Sequence, residues 1–254
     1  MPYQIKHYGW IPDLPDKRDY LYAAPFEAGQ ALPTSIDLRP NCPAVYDQGQ
    51  LGSCTANAIA AALEFDQIKE NENPIFVPSR LFIYYNERAM EGTVNSDSGA
   101  QIRDGMKSVG NLGACSEDCW SYDITKFEEK PPDTCYQQAL QHRAIVYKRV
   151  VQDINQMKGC LASGLPFVFG FTVYQSFESP EVAQSGHAPM PGPDETVLGG
   201  HAVMAVGYDD SNNWFIVRNS WGTNWGMAGY FTLPYDYVTS KSLASDFWMV
   251  SLVQ

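Results

Sequence analysis

Residues 48–57 read Gln-Gly-Gln-Leu-Gly-Ser-Cys-Thr-Ala-Asn (QGQLGSCTAN), a polar loop broken by glycines that runs directly into an alanine-rich segment. Beyond the loop, Ile59, Ala60 and Leu63 follow helical spacing. A helix that begins here places Cys54 in its first turn, where unpaired backbone N–H groups and the positive end of the helix dipole favour a thiolate. Taken alone, the stretch is compatible with a reactive thiol or with a small buried cysteine.

Two later stretches supply groups that could work with such a thiol. His201 opens the apolar run HAVMAVG, residues 201–207, where a polar ring at the edge of a buried strand needs a reason. The stretch VRNSWGTNWG, residues 217–226, contains Asn219 and Trp221. The Asn219 amide oxygen could hold one imidazole nitrogen and fix its tautomer, while Trp221 could shield that bond from water.

Gln48 completes the set of candidate reactive groups. It precedes Cys54 in the same loop, and its side chain carries N–H donors. Together with the Cys54 backbone N–H, it could hold the oxyanion that forms when a thiolate attacks a carbonyl carbon. Gln48, Cys54, His201 and Asn219 therefore predict a nucleophile, a base, a residue that orients the base, and an oxyanion donor.

Composition excludes several classes of function. The formal net charge is -12 and the pI is about 4.6, so the basic footprint of a nucleic-acid-binding protein is missing. No apolar stretch approaches the length of a membrane span, and the N-terminus does not resemble a signal peptide, so cytoplasmic localisation is the default expectation. Cys115 and Cys119 lack a second close pair or a nearby histidine, so neither a metal nor a cofactor is expected.

The chain divides into a short arm and one domain. Residues 1–31 are rich in proline and mixed charge and predict an extended N-terminal arm, and residues 32–254 form the folded domain. Helical patterns dominate the first half and strand patterns the second, which predicts an α+β protein with two segregated lobes. The predicted helices cover 53–67, 79–88, 100–109, 133–143 and 153–162, and the predicted strands cover 166–173, 201–208, 213–217, 229–233 and 247–253.

The arm allows two interpretations. It could be a structural strap on the outside of the domain. It could also be a short pro-segment that crosses the cleft and blocks Cys54, as its extended, proline-braced character and its aromatic residues Tyr3, Tyr8 and Trp10 suggest. Both interpretations stay open at this point.

The stretches QGQLGSC, GGHAVMAVGYD and VRNSWGTNWGMAGYF resemble the signature blocks of the papain-like cysteine peptidases. The order Gln, Cys, His, Asn is that of the family. The histidine falls within the family's distance of roughly 130–150 residues from the cysteine, and the asparagine slightly beyond it. The short arm with GWIPDLPDKRDY is similar to that of the bacterial and archaeal branch.

The resemblance implies a papain-like two-lobe fold, with a helical left lobe, an antiparallel β-barrel-like right lobe and the active-site cleft between them. It also implies hydrolysis of peptide bonds in a peptide or protein substrate through a Cys54 thioester, with endopeptidase action preferred and a monomer expected. His201 would be the general acid/base. The substrate groove would include Gly99 and Ala100 as the backbone rail, with Gly200 and Trp221 on the other side.

Two positions depart from the family pattern. Leu51 stands where a cysteine is usual, so the left-lobe disulfide at that position is missing, and Thr55 replaces the usual aromatic residue after the nucleophile. Two other functions also remain open: a thioester-forming amide transferase or deamidase, and a non-catalytic binding module on a papain scaffold. Retention of all four catalytic-type residues argues against the binding module.

Overall fold

The computed structural model describes residues 8–26, 31–144 and 146–252. Tyr3, one of the aromatic residues of the arm, lies outside this part. The helices are α1 (Cys54–Lys69), α2 (Arg80–Glu91), α3 (Ile102–Asn111), α4 (Asp133–Ala139), α5 (Ile154–Ala162), α6 (Pro180–Ser185) and α7 (Tyr235–Thr239). The strands are β1 (Leu21–Tyr22), β2 (Ser35–Asp37), β3 (Val146–Val150), β4 (Phe167–Tyr174), β5 (Val197–Asp209), β6 (Trp214–Arg218), β7 (Tyr230–Pro234) and β8 (Ala244–Ser251).

One mixed sheet contains all of these strands. Its order is β1-β3-β8-β4-β5-β6-β7, and β2 pairs with β5 beside this path. Every pairing is antiparallel except that of β1 with β3. The predicted α+β class is confirmed, but the expected barrel-like lobe is an open sheet, because the end strands β1 and β7 do not pair with each other in the described chain. At the β7 end of the sheet, His187 forms an isolated β-bridge with Thr232 of β7.

Helix α1 lies between the other helices and the sheet. It contacts α2 and α3 on one side and β5 on the other. Its residues from Cys54 to Gln67 are all buried, as expected for a helix that is enclosed on every side. Alanine side chains at Ala56, Ala60 and Ala61 are short enough for neighbouring backbones to approach closely. The N-terminus of α1 is thereby fixed against the start of β5.

Several helix boundaries follow from capping residues that the sequence displays. Ser79 was predicted to begin a helix, and its hydroxyl accepts a hydrogen bond from the Phe82 N–H at the start of α2. Asp153 caps α5 in the same way. Strand β3 was not predicted, because its tyrosine, lysine and arginine give it no apolar alternation. No described helix has both the length and the apolar character needed to cross a bilayer.

The structure pairs Cys119 with Cys135 in a disulfide, a pairing that the sequence left open. The Cys115 sulfur lies close by, and the three sulfurs are within 4.8 Å of one another. Two of these sulfurs are committed to the disulfide and offer no thiolate, so this cluster does not form a metal-ligand set in the oxidised protein.

The described part of the arm is built into the domain. Strand β1 pairs with β3 in the sheet. Asp19 forms an ion pair with Arg103 at 2.7 Å. Asp13 accepts hydrogen bonds from the Arg103 backbone N–H at 3.0 Å and from the Trp248 indole N–H at 2.9 Å. These contacts fix residues 13–22 on the domain, and the preceding residues extend from them into the cleft.

A second carboxylate shares this anchor. Asp246 accepts a hydrogen bond from the Asp13 backbone N–H at 2.7 Å and from Arg149 Nη2 at 2.7 Å, while the same Nη2 lies 3.5 Å from Asp13. Burial raises the pKa of Asp13 to about 6, and the neighbouring Asp246 charge adds to the effect. The docked arm therefore favours the protonated form of Asp13.

Asp13→Asn should remove part of the pH dependence of stability. Because the pKa of Asp13 in the folded protein lies above its usual value of 3.8, its contribution is fully present below that value and is lost as the pH rises through about 6. Relative to the variant, the unsubstituted protein should lose roughly 1–3 kcal/mol of unfolding free energy between pH 4 and pH 7. Urea unfolding across this range measures the difference.

The same substitution at the exposed Asp133 serves as the control. A stability difference between the unsubstituted protein and Asp13→Asn that stays constant with pH would contradict the proposed protonation.

Candidate active site

Cys54 is the first residue of α1 and is fully buried. Its Sγ accepts a hydrogen bond from the Ala202 backbone N–H at 3.4 Å, which joins α1 to β5. The Gly9 backbone N–H of the arm also acts on this sulfur. The predicted loop-to-helix junction is therefore present, and a backbone donor of β5 points toward the thiol.

His201 and Asn219 meet beside this cysteine. The Asn219 Oδ1 accepts a hydrogen bond from His201 Nε2 at 2.8 Å, and the acceptor fixes the proton on Nε2. The other ring nitrogen, Nδ1, is buried without a hydrogen-bond partner among the described residues. Trp221 stacks on the imidazole at 5.1 Å between ring centroids, with 29° between the planes. Trp221 thus covers the His201–Asn219 pair, as its position in the sequence suggested.

Gln48 lies in the same buried group. Its Oε1 accepts a hydrogen bond from the Ser220 hydroxyl at 2.7 Å, and its Nε2 donates to the Leu51 carbonyl at 2.9 Å. Nε2 carries two hydrogens, so one remains for a further acceptor. The structure therefore brings the Gln48–Cys54 loop together with His201 and Asn219, which lie far from it in the sequence.

The arm occupies the predicted substrate groove. The Gly9 carbonyl accepts a hydrogen bond from the Ala100 N–H at 2.8 Å, and the Ala100 carbonyl accepts one from the Ile11 N–H at 3.0 Å. On the opposite wall, the Trp10 N–H donates to the Gly200 carbonyl at 2.9 Å. The two walls predicted to hold an extended peptide therefore hold the arm.

The contact at Gly9 is tight. A Cβ at this position would lie 1.7 Å from the Gly52 carbonyl oxygen, and one at Gly99 would lie 2.2 Å from the Gly9 carbonyl oxygen. Only glycine lets the arm pass this close to the loop that carries Cys54.

Burial controls the charges of the site. It raises the pKa of Cys54 to about 12, although backbone hydrogen bonds act in the opposite direction. Burial also lowers the pKa of His201 to about 4, although the hydrogen bond to Asn219 acts in the opposite direction. The sequence predicted a thiolate, but a neutral thiol beside a neutral imidazole is favoured while the arm excludes water.

Residues 32–248 match the papain family of cysteine proteases. The chain belongs to this family.

Relatives span nearly the whole chain. Xylellain, a cysteine protease from Xylella fastidiosa, is 48% identical, with a TM-score of 0.91 over 97% of this chain and 96% of its own. An uncharacterized peptidase C1-like protein of Acanthamoeba polyphaga mimivirus is 44% identical over 98% of this chain and 88% of its own length. A procathepsin B of Trypanosoma congolense, 19% identical with a TM-score of 0.76, shows the shared fold alone. The chain is a papain-like cysteine peptidase.

A layer of polar groups that sequence reasoning missed supports the cysteine loop. The Asp97 carboxylate accepts the Gly52 N–H at 3.0 Å and the Tyr84 hydroxyl at 2.5 Å. The same hydroxyl accepts the Gly99 N–H at 3.1 Å. The nucleophile loop and the rail are thus held by one carboxylate and one phenol. A spacing rule could not have identified them, because the three segments meet only in the folded chain.

Thr55, which replaces the usual aromatic residue of papain-like enzymes, has a defined partner. Its hydroxyl donates to Glu87 Oε2 at 2.8 Å. Glu87 is fully buried, and its Oε1 has no hydrogen-bond partner among the described residues. Burial raises the pKa of Glu87 well above its usual range. A neutral acid therefore contacts the residue next to Cys54, and threonine rather than an aromatic side chain leaves room for it.

Glu87→Gln should be tolerated where Glu87→Ala is not. Glutamine keeps an acceptor for the Thr55 hydroxyl, so at pH 5 its unfolding free energy should stay within about 1 kcal/mol of the original. Alanine leaves a cavity and an unpaired hydroxyl, which should cost about 2–4 kcal/mol. Urea unfolding at pH 5 and pH 8 measures both variants.

The pH dependence gives the contradicting result. Because the pKa of Glu87 is raised on folding, the unsubstituted protein should lose stability relative to Glu87→Gln as the pH rises from 5 to 8. A stability difference between these two proteins that stays constant with pH would contradict the raised pKa.

Proposed function

We propose that this peptidase uses Cys54 as the nucleophile and that its own N-terminal arm holds it inactive. Once water reaches the site, His201 takes the thiol proton and the Cys54 sulfur attacks the substrate carbonyl carbon. Asn219 holds the imidazole, and the free Gln48 N–H and the Cys54 backbone N–H bind the oxyanion. His201 then protonates the departing amine, and water hydrolyses the thioester.

The observation that carries this proposal is the position of the arm. It lies as an extended chain over Cys54 and is hydrogen-bonded by Ala100 on one wall and by Gly200 on the other. A groove that binds backbone groups from both sides is suited to a polypeptide of varied sequence. The arm also passes over Cys54 with Tyr8 on one side and Trp10 on the other. Room for chain on both sides supports endopeptidase action.

The direction of the Gly9 peptide groups explains why the arm would survive in the cleft. Its N–H acts on the Cys54 sulfur. Its carbonyl oxygen accepts from Ala100 and is therefore engaged away from Gln48 and the oxyanion donors. The arm thus fills the groove without offering a bond for attack, and it keeps the thiol and imidazole neutral.

Gly9→Ala in the full-length chain is the sharpest test. The added Cβ would lie 1.7 Å from a backbone oxygen, so the arm must leave its position over Cys54. We expect labelling of Cys54 by an active-site-directed epoxide, and hydrolysis of a fluorogenic peptide, to rise roughly 10–100-fold. Peptide mass spectrometry locates the adduct and shows whether the product is a free acid or a transfer product.

Two controls make this result decisive. Gly192→Ala makes the same change where a Cβ meets only ordinary contacts, and its rates should stay unchanged. Adding Cys54→Ala to Gly9→Ala should abolish hydrolysis. Equal rates for a folded Gly9→Ala variant and the unsubstituted chain would rule out control by the arm. Hydrolysis without Cys54 would rule out its role as the nucleophile.

A further inference from the structure

The side chain of Trp10 fills a pocket in the cleft next to Cys54. The residue is 8% exposed and packs with the buried residues of α1 and the sheet. Its indole N–H donates to Asp246 Oδ2 at 3.2 Å. The apolar ring is buried and its N–H has a hydrogen-bond partner, so the pocket matches the indole in both shape and polarity.

Two glycines shape this pocket to the size of the ring. A Cβ at Gly170 would lie 1.9 Å from the Trp10 ring, and one at Gly200 would lie 2.7 Å from it. They lie on the neighbouring strands β4 and β5, and Gly200 directly precedes the catalytic-type His201. A side chain at either position would fill the pocket, so the two glycines set its width.

Asp246 is held in an unusual conformation that aims its carboxylate into this pocket. Its φ is +61°, in the left-handed region that few residues other than glycine adopt. It follows a register shift in the pairing of β8 with β4. Irregular strand positions of this kind re-aim a side chain beside functional sites. Asp246 is 4% exposed, so its buried carboxylate needs hydrogen-bond partners.

The two oxygens of the Asp246 carboxylate accept hydrogen bonds from different parts of the chain. Oδ1 accepts from Arg149, which belongs to the domain. Oδ2 accepts from the Trp10 indole N–H and from the Asp13 backbone N–H, and both donors belong to the arm. When the residues before Asp13 leave the cleft, Oδ2 loses the indole donor, keeps the Asp13 backbone N–H and faces an open, ring-sized pocket.

We propose that this pocket selects substrates with a large planar side chain that carries a neutral N–H donor, tryptophan above all, and that Asp246 is the specificity-determining residue. The inference rests on the proposed function, since it assigns a substrate preference to the same cleft. Trp10 of the arm then mimics the side chain of a preferred substrate. A site built to hydrogen-bond a substrate N–H discriminates strongly against an analogue that lacks it.

A neutral donor fits better than a cation. Arg149 already forms an ion pair with the carboxylate at 2.7 Å and compensates its charge. Residues 13–22 stay docked and Asp13 favours its protonated form, so Arg149 and Arg103 already face the carboxylates of Asp246 and Asp19. A further positive charge in the pocket would have no carboxylate of its own.

The test profiles the full-length Gly9→Ala variant with a positional-scanning library of fluorogenic tetrapeptides. At one position, kcat/KM for tryptophan should exceed that for phenylalanine by about tenfold or more, since phenylalanine fills the pocket but leaves Oδ2 without the indole donor. Asp246→Asn in the same background should remove most of that preference, because the amide is uncharged and asparagine also tolerates a positive φ. Asp236→Asn, at an exposed position, should leave it intact.

A second measurement needs no hydrolysis. In the full-length chain that retains Gly9, Trp10→Phe should speed epoxide labelling of Cys54 by about tenfold, and the same change should have little effect when Asp246→Asn is already present. This cycle isolates the contact between the indole N–H and the carboxylate.

The outcomes are distinguishable. Equal hydrolysis of tryptophan and phenylalanine substrates, or a preference for arginine, would overturn the assigned preference while leaving the peptidase proposal intact. Failure of Gly9→Ala to cleave any library member would count against the proposed function. In that case the labelling cycle decides whether Asp246 recognises the indole: coupling between the two changes supports it, and independent effects refute it.

Discussion

The close approach of α1 to β5 is the constraint on which the site depends. An alanine-rich helix that is buried on all sides can lie against the sheet only because its side chains are short. This contact sets the Cys54 sulfur within hydrogen-bonding distance of the Ala202 N–H. His201 is the residue before Ala202, so the same contact fixes His201 relative to Cys54. Larger side chains along the helix would separate the two segments before any catalytic group was altered.

The chemistry of this site is governed by access of water as much as by residue identity. A helix N-terminus and backbone donors favour a thiolate at Cys54. Under the arm, desolvation is the larger effect and keeps both Cys54 and His201 neutral. In the proposed inhibition, the arm would act in two ways, by occupying the groove and by making charge separation unfavourable.

The parts of the site that a sequence can reveal are those with local signatures. The QGQLGSC loop, the His201 strand and the block around Asn219 identify reactive groups and family, and capping residues such as Ser79 locate helix starts. The aromatic composition of the arm suggested a cleft-crossing segment, and the structure places it there. The open sheet was not foreseen, because edge pairing depends on strands far apart in the chain.

The sequence also gave no indication of the polar contacts between distant segments of the chain. Asp97 supports the Cys54 loop from a segment with no motif of its own. Asp246 reaches the cleft through an irregular strand and a positive φ, which no spacing rule encodes. Thr55 departs from the family pattern in sequence, and only the structure shows that its hydroxyl donates a hydrogen bond to Glu87. In each case the meaning of the residue comes from a partner that only folding supplies.

The pairing of β1 with β3 has a consequence for how the cleft competes for ligands. Because β1 is fixed in the sheet a short distance along the chain from Gly9, a displaced arm stays tethered near the groove. A tether of this length gives an effective concentration in the millimolar range. Any peptide in solution must compete against that value, so a weak individual fit in the cleft suffices for the arm. A single cut between the strand and the cleft would convert this intramolecular competitor into a dilute peptide and make opening irreversible.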